Sequence, residues 1–332
     1  MDSIEAVKKN SSEPCVIEDL TEHGQILYIQ FSPFEWSQDV LLVGFREKIL
    51  LVHIDISDKI CIKVLTEFSH QARCTTISMS PETSLTSLPN QVVFCAAGND
   101  FKLRIFSSDL DENSKCLVIG KHASYINDTM FDPENDYLAS TSDDNTVQIW
   151  SVDGYKLKCT FNLTSAGMNV CWHRSDSCKL MVAEKIGVIR FYNVESETPV
   201  LSIDYNKPLS SSHWAPSDRD FIASLQLGEL LIWDLTKPCL PLHNNIVFTE
   251  NGGHIKFSPQ GELVAAVNSL DSNLKIIHVK SQTVKLTAAV SLPTNVCWHY
   301  RFPLPGTPVY HRCLTCQDIV ENEIAEPQIS VA

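Results

Sequence analysis

The chain has 332 residues, with 40 Asp and Glu against 26 Lys and Arg, and a formal charge of −14 at pH 7. That acidic excess argues against a protein built to grip phosphate backbones, which needs clustered Lys and Arg. The 44% of hydrophobic residues suffices for a large core and excludes wholesale disorder. No apolar run approaches the roughly 20 residues that span a bilayer, and the opening MDSIEAVKKNSSEP lacks the apolar stretch of a secretory signal.

Residues 1–14 read as a flexible polar segment, and CVIEDL (15–20) as a strand placed to join the last repeat to the first. From there a short phrase recurs, an apolar strand ending in an aromatic or Met and then a polar residue and a turn: IQFSP, ISMSP, TMFDP, NVCWHR, SSHWAP, IKFSP and NVCWHY. Its anchors are Phe31, Met79, Phe131, Trp172, Trp214, Phe257 and Trp298, at intervals of 48, 52, 41, 42, 43 and 41 residues. A period near 40 to 45 residues with four short strands per unit is the signature of a propeller blade.

Each unit reads alike. In the third, INDTMF, YLASTS, TVQIWS and KLKCTF are four strands separated by turn formers. VLLVGF with ILLVHI, VVFCAA with KLRIF, KLMVA with VIRFYN, FIASL with ELLIWD and LVAAV with LKIIHV repeat the central pair elsewhere. Such apolar, β-branched runs suit strands buried on both faces between neighbouring blades. The expectation is an all-β, seven-bladed WD-repeat propeller over residues 15–300. RFPLPGTPVY follows Trp298 and Pro removes ladder donors, so there are two readings: an irregular, incomplete last blade, or an altered terminus; residues 301–332 read as an irregular acidic tail.

Chemistry-bearing residues fall mostly on repeat positions. His122, Ser140, Asp144 and Trp150 have the composition of a catalytic set, yet their placement on successive strands and turns predicts a hydrogen-bond chain that staples one blade. His70 and Asp100, with Phe106, repeat that placement in the second unit, whereas Ile186, Leu227 and Ser272 stand at the aspartate position of later units. The 12 cysteines are scattered, several in apolar runs, and read as free thiols. His311, Cys313 and Cys316 make one compact metal-like cluster with too few ligands for a closed zinc site. Nucleotide-binding motifs are missing, so no catalytic residue, cofactor or metal is assigned.

What remains is surface. FEWSQD (34–39) and PETSLTSLPNQ (81–91) join first to second strands, SSDLDENS (107–114) joins third to fourth, and both kinds of connection emerge on one face of a disc. Trp36, Leu85, Leu88 and Asp109 in these loops are the candidates for a partner interface; the alternative is that they pack back onto the blade edges.

The segment 80–114 resembles the second blade of the small WD-repeat nucleoporins of about 37 kDa, from the Y-shaped outer-ring subcomplex of the nuclear pore. INDTMFDP, STSDDNTVQIW, GMNVCWH and above all KLMVAEKIGVIRFYNV (179–194) continue the likeness in order, over roughly residues 15 to 300 and most densely between 77 and 203. The likeness ends after Trp298. It implies a non-enzymatic scaffold subunit docked on the large propeller-plus-solenoid subunit of the short arm, without direct nucleic-acid contact or membrane insertion. It also implies residence at the nuclear envelope and at kinetochores in mitosis, in support of protein and mRNA traffic. The alternative is a WD-repeat adaptor or peptide reader such as a ubiquitin-ligase substrate receptor. Receptors of that kind carry an Arg soon after the Trp-Asp position, and IWSVDGYK and IWDLTKP have none.

Overall fold

The structure, a computed structural model, describes residues 23–55, 61–111, 113–217, 220–268, 270–271, 273–289, 295–299 and 312–315. The first blade is built of β1 (Tyr28–Phe31), β2 (Val40–Gly44), β3 (Lys48–Asp55) and β4 (Cys61–Ser69), and the second of β5 (Cys74–Met79), β6 (Val92–Gly98), β7 (Lys102–Ser108) and β8 (Ser114–Lys121). β9 (Ile126–Phe131), β10 (Tyr137–Ser142), β11 (Thr146–Ser151) and β12 (Lys156–Asn162) form the third. β13 (Gly167–His173), β14 (Asp176–Glu184), β15 (Val188–Asn193) and β16 (Thr198–Asp204) form the fourth. The fifth holds β17 (Leu209–Trp214), β18 (Phe221–Gln226), β19 (Glu229–Asp234) and β20 (His243–Ile246). The sixth holds β21 (His254–Phe257), β22 (Leu263–Asn268), β23 (Asn273–His278) and β24 (Val284–Ala289). Every blade is an antiparallel sheet in which the strands lie in chain order.

The expected count of seven blades is corrected to six. Among the described residues, a two-stranded sheet lies between the sixth blade and the first, β25 (Val296–His299) paired with β26 (Arg312–Thr315). The chain between these two strands carries Pro303, Pro305 and Pro308, and proline cannot donate to a ladder. β25 packs against both β21 and β1, and Asn295 Nδ2 donates to Ile29 O at 2.9 Å, so this sheet fills the ring position between the sixth and first blades. CVIEDL (15–20), assigned above to ring closure, lies outside the described residues.

The core is divided by junction. Val40, Leu42, Leu51, Ile77, Phe94 and Phe106 cluster between blades one and two, and Ala139, Ile149, Trp172, Leu180 and Tyr192 between three and four. Equivalent clusters fill the junctions between two and three, four and five, and five and six. A sheet that hides both faces needs neighbours on both sides, which explains why central strands such as Val40–Gly44 and Val92–Gly98 are apolar without alternation.

The recurring phrase has a local cause. After the inner strand, the Ser or Asp side chain accepts the backbone N–H two residues on: Ser32 Oγ from Phe34 N, Ser80 Oγ from Glu82 N, and Asp132 Oδ2 from Glu134 N at 3.1 Å. Such turns reverse the chain with its polar groups satisfied. Inner strands are also tied to one another. Trp172 Nε1 donates to Met130 O at 2.8 Å, Phe131 N to Ser78 Oγ at 3.0 Å, and Ile255 N to Ser211 Oγ at 3.2 Å.

Candidate functional site

The third blade assembles the four residues singled out above into one chain. Trp150 Nε1 donates to Ser140 Oγ at 3.3 Å, Ser140 Oγ lies 2.9 Å from His122 Nε2, and His122 Nδ1 lies 2.9 Å from Asp144 Oδ2. Burial holds the His122 pKa below its ordinary value against the pull of Asp144, so the ring is neutral. Its Nδ1–H then donates to the carboxylate while Nε2 accepts from the serine. Asp144 Oδ2 also accepts Ala123 N at 2.8 Å, and Oδ1 accepts Thr146 N and Oγ1 at 3.0 and 2.6 Å. Burial pushes the Asp144 pKa up, but those donors together outweigh it and the carboxyl stays below its ordinary value. Ser140 has 0% exposure and its hydroxyl is engaged on both sides, an arrangement that cross-links strands and offers no reactive oxygen to solvent.

The second blade does not repeat this chain. Asp100 turns to Arg104, whose Nη1 donates to Oδ1 at 3.0 Å, and His70 Nε2 instead donates to Ala97 O at 3.2 Å. The reason lies in the sequence of the facing strand. Ala96 stands where the third blade has Ser140, and Phe106 replaces the indole donor, so the middle of the chain has no hydroxyl. Burial lowers the His70 pKa to about 4.

Other blades reach the same end with carboxylates at positions the repeat does not mark. Glu184, on β14, is fully buried, and its Oε2 accepts Thr164 N, Thr164 Oγ1 and Ser165 N at 2.8, 2.6 and 2.9 Å, while Arg190 Nε donates to Oε1. Asp271, one residue before the Ser272 named above, accepts Thr249 N and Oγ1 at 3.2 and 3.1 Å. In the fifth blade Trp233 Nε1 donates to Ser224 Oγ at 2.9 Å, a second indole–serine bond. Sequence reasoning missed these three. A polar residue inside an otherwise apolar central strand, as in KLMVAE and FIASL, was the signal that could have found Glu184 and Ser224.

Polar side chains of the inner strands bond to one another across blades. Asp128 Oδ2 accepts from Val170 N at 3.2 Å and Asn169 Nδ2 at 3.4 Å, Asn169 Oδ1 accepts Ser212 N at 3.0 Å, and Lys256 Nζ donates to Gln30 Oε1 at 3.1 Å. Burial pushes the Asp128 pKa up to about 6, with Val170 N, Lys256 and Asn169 opposing it. The first three bonds join blade three to four and four to five, and the Lys256–Gln30 bond links blades six and one, whose inner strands flank β25.

The four loop residues proposed for an interface have different surroundings. Trp36 sits on a short 3-10 turn, Glu35–Ser37, half exposed at 50%, with its Nε1 donating to Pro81 O at 3.0 Å and its ring stacked on Phe34 at 5.2 Å. Leu88 is 92% exposed on a loop pinned by the Ser84–Gln91 bridge. Leu85, in contrast, packs onto the cluster between blades one and two, so burial withdraws it from the surface. Asp109 uses its carboxylate on its own loop, accepting Asn113 Nδ2 and N and Asp111 N at 2.6, 3.2 and 3.0 Å, and these bonds, the Asn113 side chain first, hold its pKa low. Glu35 Oε1 lies 3.8 Å from Arg174 Nη2.

Among the described residues, no three His, Cys, Asp or Glu side chains are grouped to hold a metal. The cluster His311, Cys313 and Cys316 lies outside the side chains that are described. Eight cysteines, among them Cys74, Cys95, Cys171 and Cys297 in the core, are free thiols.

Six antiparallel four-stranded blades in ring order, with an indole–serine–imidazole–carboxylate chain in the third, define a β-propeller of the WD-repeat class. The WD domain, G-beta repeat family matches residues 114–151, which run from β8 through β11 and contain that chain. Along its length the chain is 33% identical to mouse Nucleoporin Nup37 over 301 residues, covering 86% of this chain and 92% of the mouse protein. Human Nucleoporin Nup37 is 32% identical, covering 83% and 89%, and the Drosophila melanogaster protein is 32% identical, covering 81% and 87%. The chain belongs to the Nup37 family of nucleoporins.

Proposed function

We propose that the protein is a structural, non-enzymatic subunit of the Y-shaped outer-ring scaffold of the nuclear pore. Its chief partner there is the large propeller-plus-solenoid subunit of the short arm. In this reading it resides at the nuclear envelope, supports pore assembly and the traffic of protein and mRNA, and follows the complex to kinetochores in mitosis. It touches no nucleic acid directly and inserts in no membrane. The observation that carries the reading is the likeness to Nup37 of three animals, which runs through 81–86% of this chain and 87–92% of theirs.

The physical form suits the role. A disc held by junction clusters and cross-blade hydrogen bonds presents its loops as a rigid surface, and a rigid surface loses little entropy on docking. Of the residues proposed for contact, Trp36 and Leu88 remain available, whereas Leu85 packs partly buried against the junction of blades one and two and Asp109 is engaged within its own loop. Affinity purification of the tagged full chain from its own cells, with mass spectrometry, tests the reading. Recovery of Y-complex subunits in near-stoichiometric amount, together with fluorescence at the nuclear rim, is the expected result. A diffuse protein that brings down a ubiquitin-ligase core and no pore subunit would overturn it.

A further inference from the structure

We propose that the face carrying the first-to-second strand connections of blades one to four and the third-to-fourth connections of blades two to four docks a basic, amphipathic segment of a partner protein, one with Arg or Lys flanking large apolar side chains. The proposal deepens the function proposed above and rests on it for the identity of the partner, not for the chemistry of the surface.

Two independent observations converge on this face. The first is its anchors. Trp36 has already given its only donor to Pro81 O and is braced by Phe34, so what it shows to solvent is the apolar edge of a fixed ring. Leu88 stands out on a loop that is itself held, by the Ser84–Gln91 bridge and by Gln91 Nε2 donating to Glu82 Oε2 at 3.1 Å. Both anchors lie on the adjoining loops of blades one and two, which the Trp36–Pro81 bond joins directly. A large aromatic that is exposed yet held in place is the type of residue that carries binding energy, because little freedom is lost when a partner covers it, and Leu88 adds apolar area beside it.

The second observation is charge. The same connections carry Glu82, Asp111, Glu134, Asp153, Glu195 and Glu197, all exposed, against Arg174 and Lys156. Arg174 is moreover occupied by Glu35. The connections on this side therefore carry a net negative charge. The opposite face also exposes apolar tips, Ile186 and Leu270, but Arg46, Lys121 and Lys185 alternate there with Glu47 and Asp143, so it has no single sign with which to select a partner. An acidic rim around apolar anchors attracts a basic segment and repels an acidic one. A second copy of this chain, presenting the same acidic face, is repelled, which commits the surface to a different protein.

The test uses the full chain, tagged in its own cells, and counts recovered pore subunits by mass spectrometry at about 0.1 M and about 0.5 M salt. Four forms are compared: wild type, Trp36→Ala with Leu88→Ser, Glu82→Lys with Asp111→Lys and Asp153→Lys, and an opposite-face pair, Ile186→Ser with Leu270→Ser. All replaced side chains are exposed, and circular dichroism checks that each form folds. Recovery should fall about tenfold or more for the apolar pair and for the charge reversals at low salt. It should stay unchanged for the opposite-face pair, and wild-type recovery should drop as salt rises.

Unchanged recovery with either of the first two variant sets, or loss confined to the opposite-face pair, overturns the docking proposal and leaves the pore function standing. If wild type recovers no pore subunit, the pore function falls and a second probe decides the surface. That probe is a peptide of about 20 residues made of Leu, Lys and Arg, with its Leu–Glu counterpart as control. Hydrogen exchange slowed by the basic peptide in the loops around Trp36 and Leu88 supports the proposal. No slowing there, or equal slowing by the acidic control, overturns it.

Discussion

Replacing Ser140 with alanine breaks the third-blade chain at its middle. Ser140 Oγ accepts from Trp150 Nε1 at 3.3 Å and faces His122 Nε2 at 2.9 Å, so one deletion strands a buried indole N–H and a buried imidazole nitrogen. Neither reaches water, since Trp150 and His122 are buried in the junction between blades. An orphaned buried neutral group costs about 1–3 kcal/mol, and two of them with some local relaxation give an expected loss of about 3 kcal/mol. At about 2.1 cal/mol/K per residue, a propeller of about 300 residues has an unfolding entropy of about 0.6 kcal/mol/K, so the midpoint should fall by about 5 °C. Trp150→Phe removes the donor, and in the pair with Ser140→Ala the two groups vanish together. The double-mutant cycle, read by denaturant unfolding, should show a coupling of about 1 kcal/mol, the pair costing less than the sum. A Ser140→Ala loss below about 0.5 kcal/mol, or strict additivity in the cycle, would refute the reasoning.

Three further expectations follow from the same structure. Glu184→Ala removes the acceptor for Thr164 N and Ser165 N and leaves Arg190 beside an empty site, and should cost about 3 kcal/mol, measured by urea unfolding; a loss within 0.5 kcal/mol, about the error of surface changes, would count against the clasp. His70 is buried with a pKa of about 4, below its ordinary 6.5, so between those values the unfolded chain binds a proton that the folded chain refuses. Its share of stability is whole above pH 6.5 and is lost as pH falls toward 4. His70→Leu should therefore flatten the acid limb by about 1.4 kcal/mol per pH unit in that window; an unchanged slope in pH-dependent unfolding would contradict the burial of a neutral ring. Gly187 has a φ of +108° and its absent Cβ would lie 2.2 Å from Lys207 O, so Gly187→Ala should lower the thermal midpoint, whereas Gly24→Ala, with nothing within 4 Å of the added methyl, should lower it less. Equal effects in a melting comparison would show that φ alone, and not the crowding, sets the cost.

Much of this molecule was written locally. A strand hidden on both faces must be apolar throughout, and a turn that closes on a Ser or Asp side chain must follow it, so the recurring phrase marks the inner strands without reference to any other part of the chain. The third-blade chain was legible for the same reason: His122, Ser140, Asp144 and Trp150 occupy fixed offsets within one repeat. Stacking decided the rest. Asp100 meets Arg104 because Ala96 and Phe106 leave His70 no hydroxyl to reach, and Glu184 and Asp271 clasp loops that no offset predicts. Leu85 and Leu88 stand three residues apart in one loop, yet the first packs on the junction of blades one and two and the second faces solvent. Ring closure also lay beyond the sequence, since β25 finds β26, β1 and β21 across long separations, and whether such a site holds four strands or two depends on pairing energies that local patterns do not encode. Period and turn chemistry are properties of a few neighbouring residues; which carboxylate finds which amide, and which leucine finds water, are properties of the packed ring.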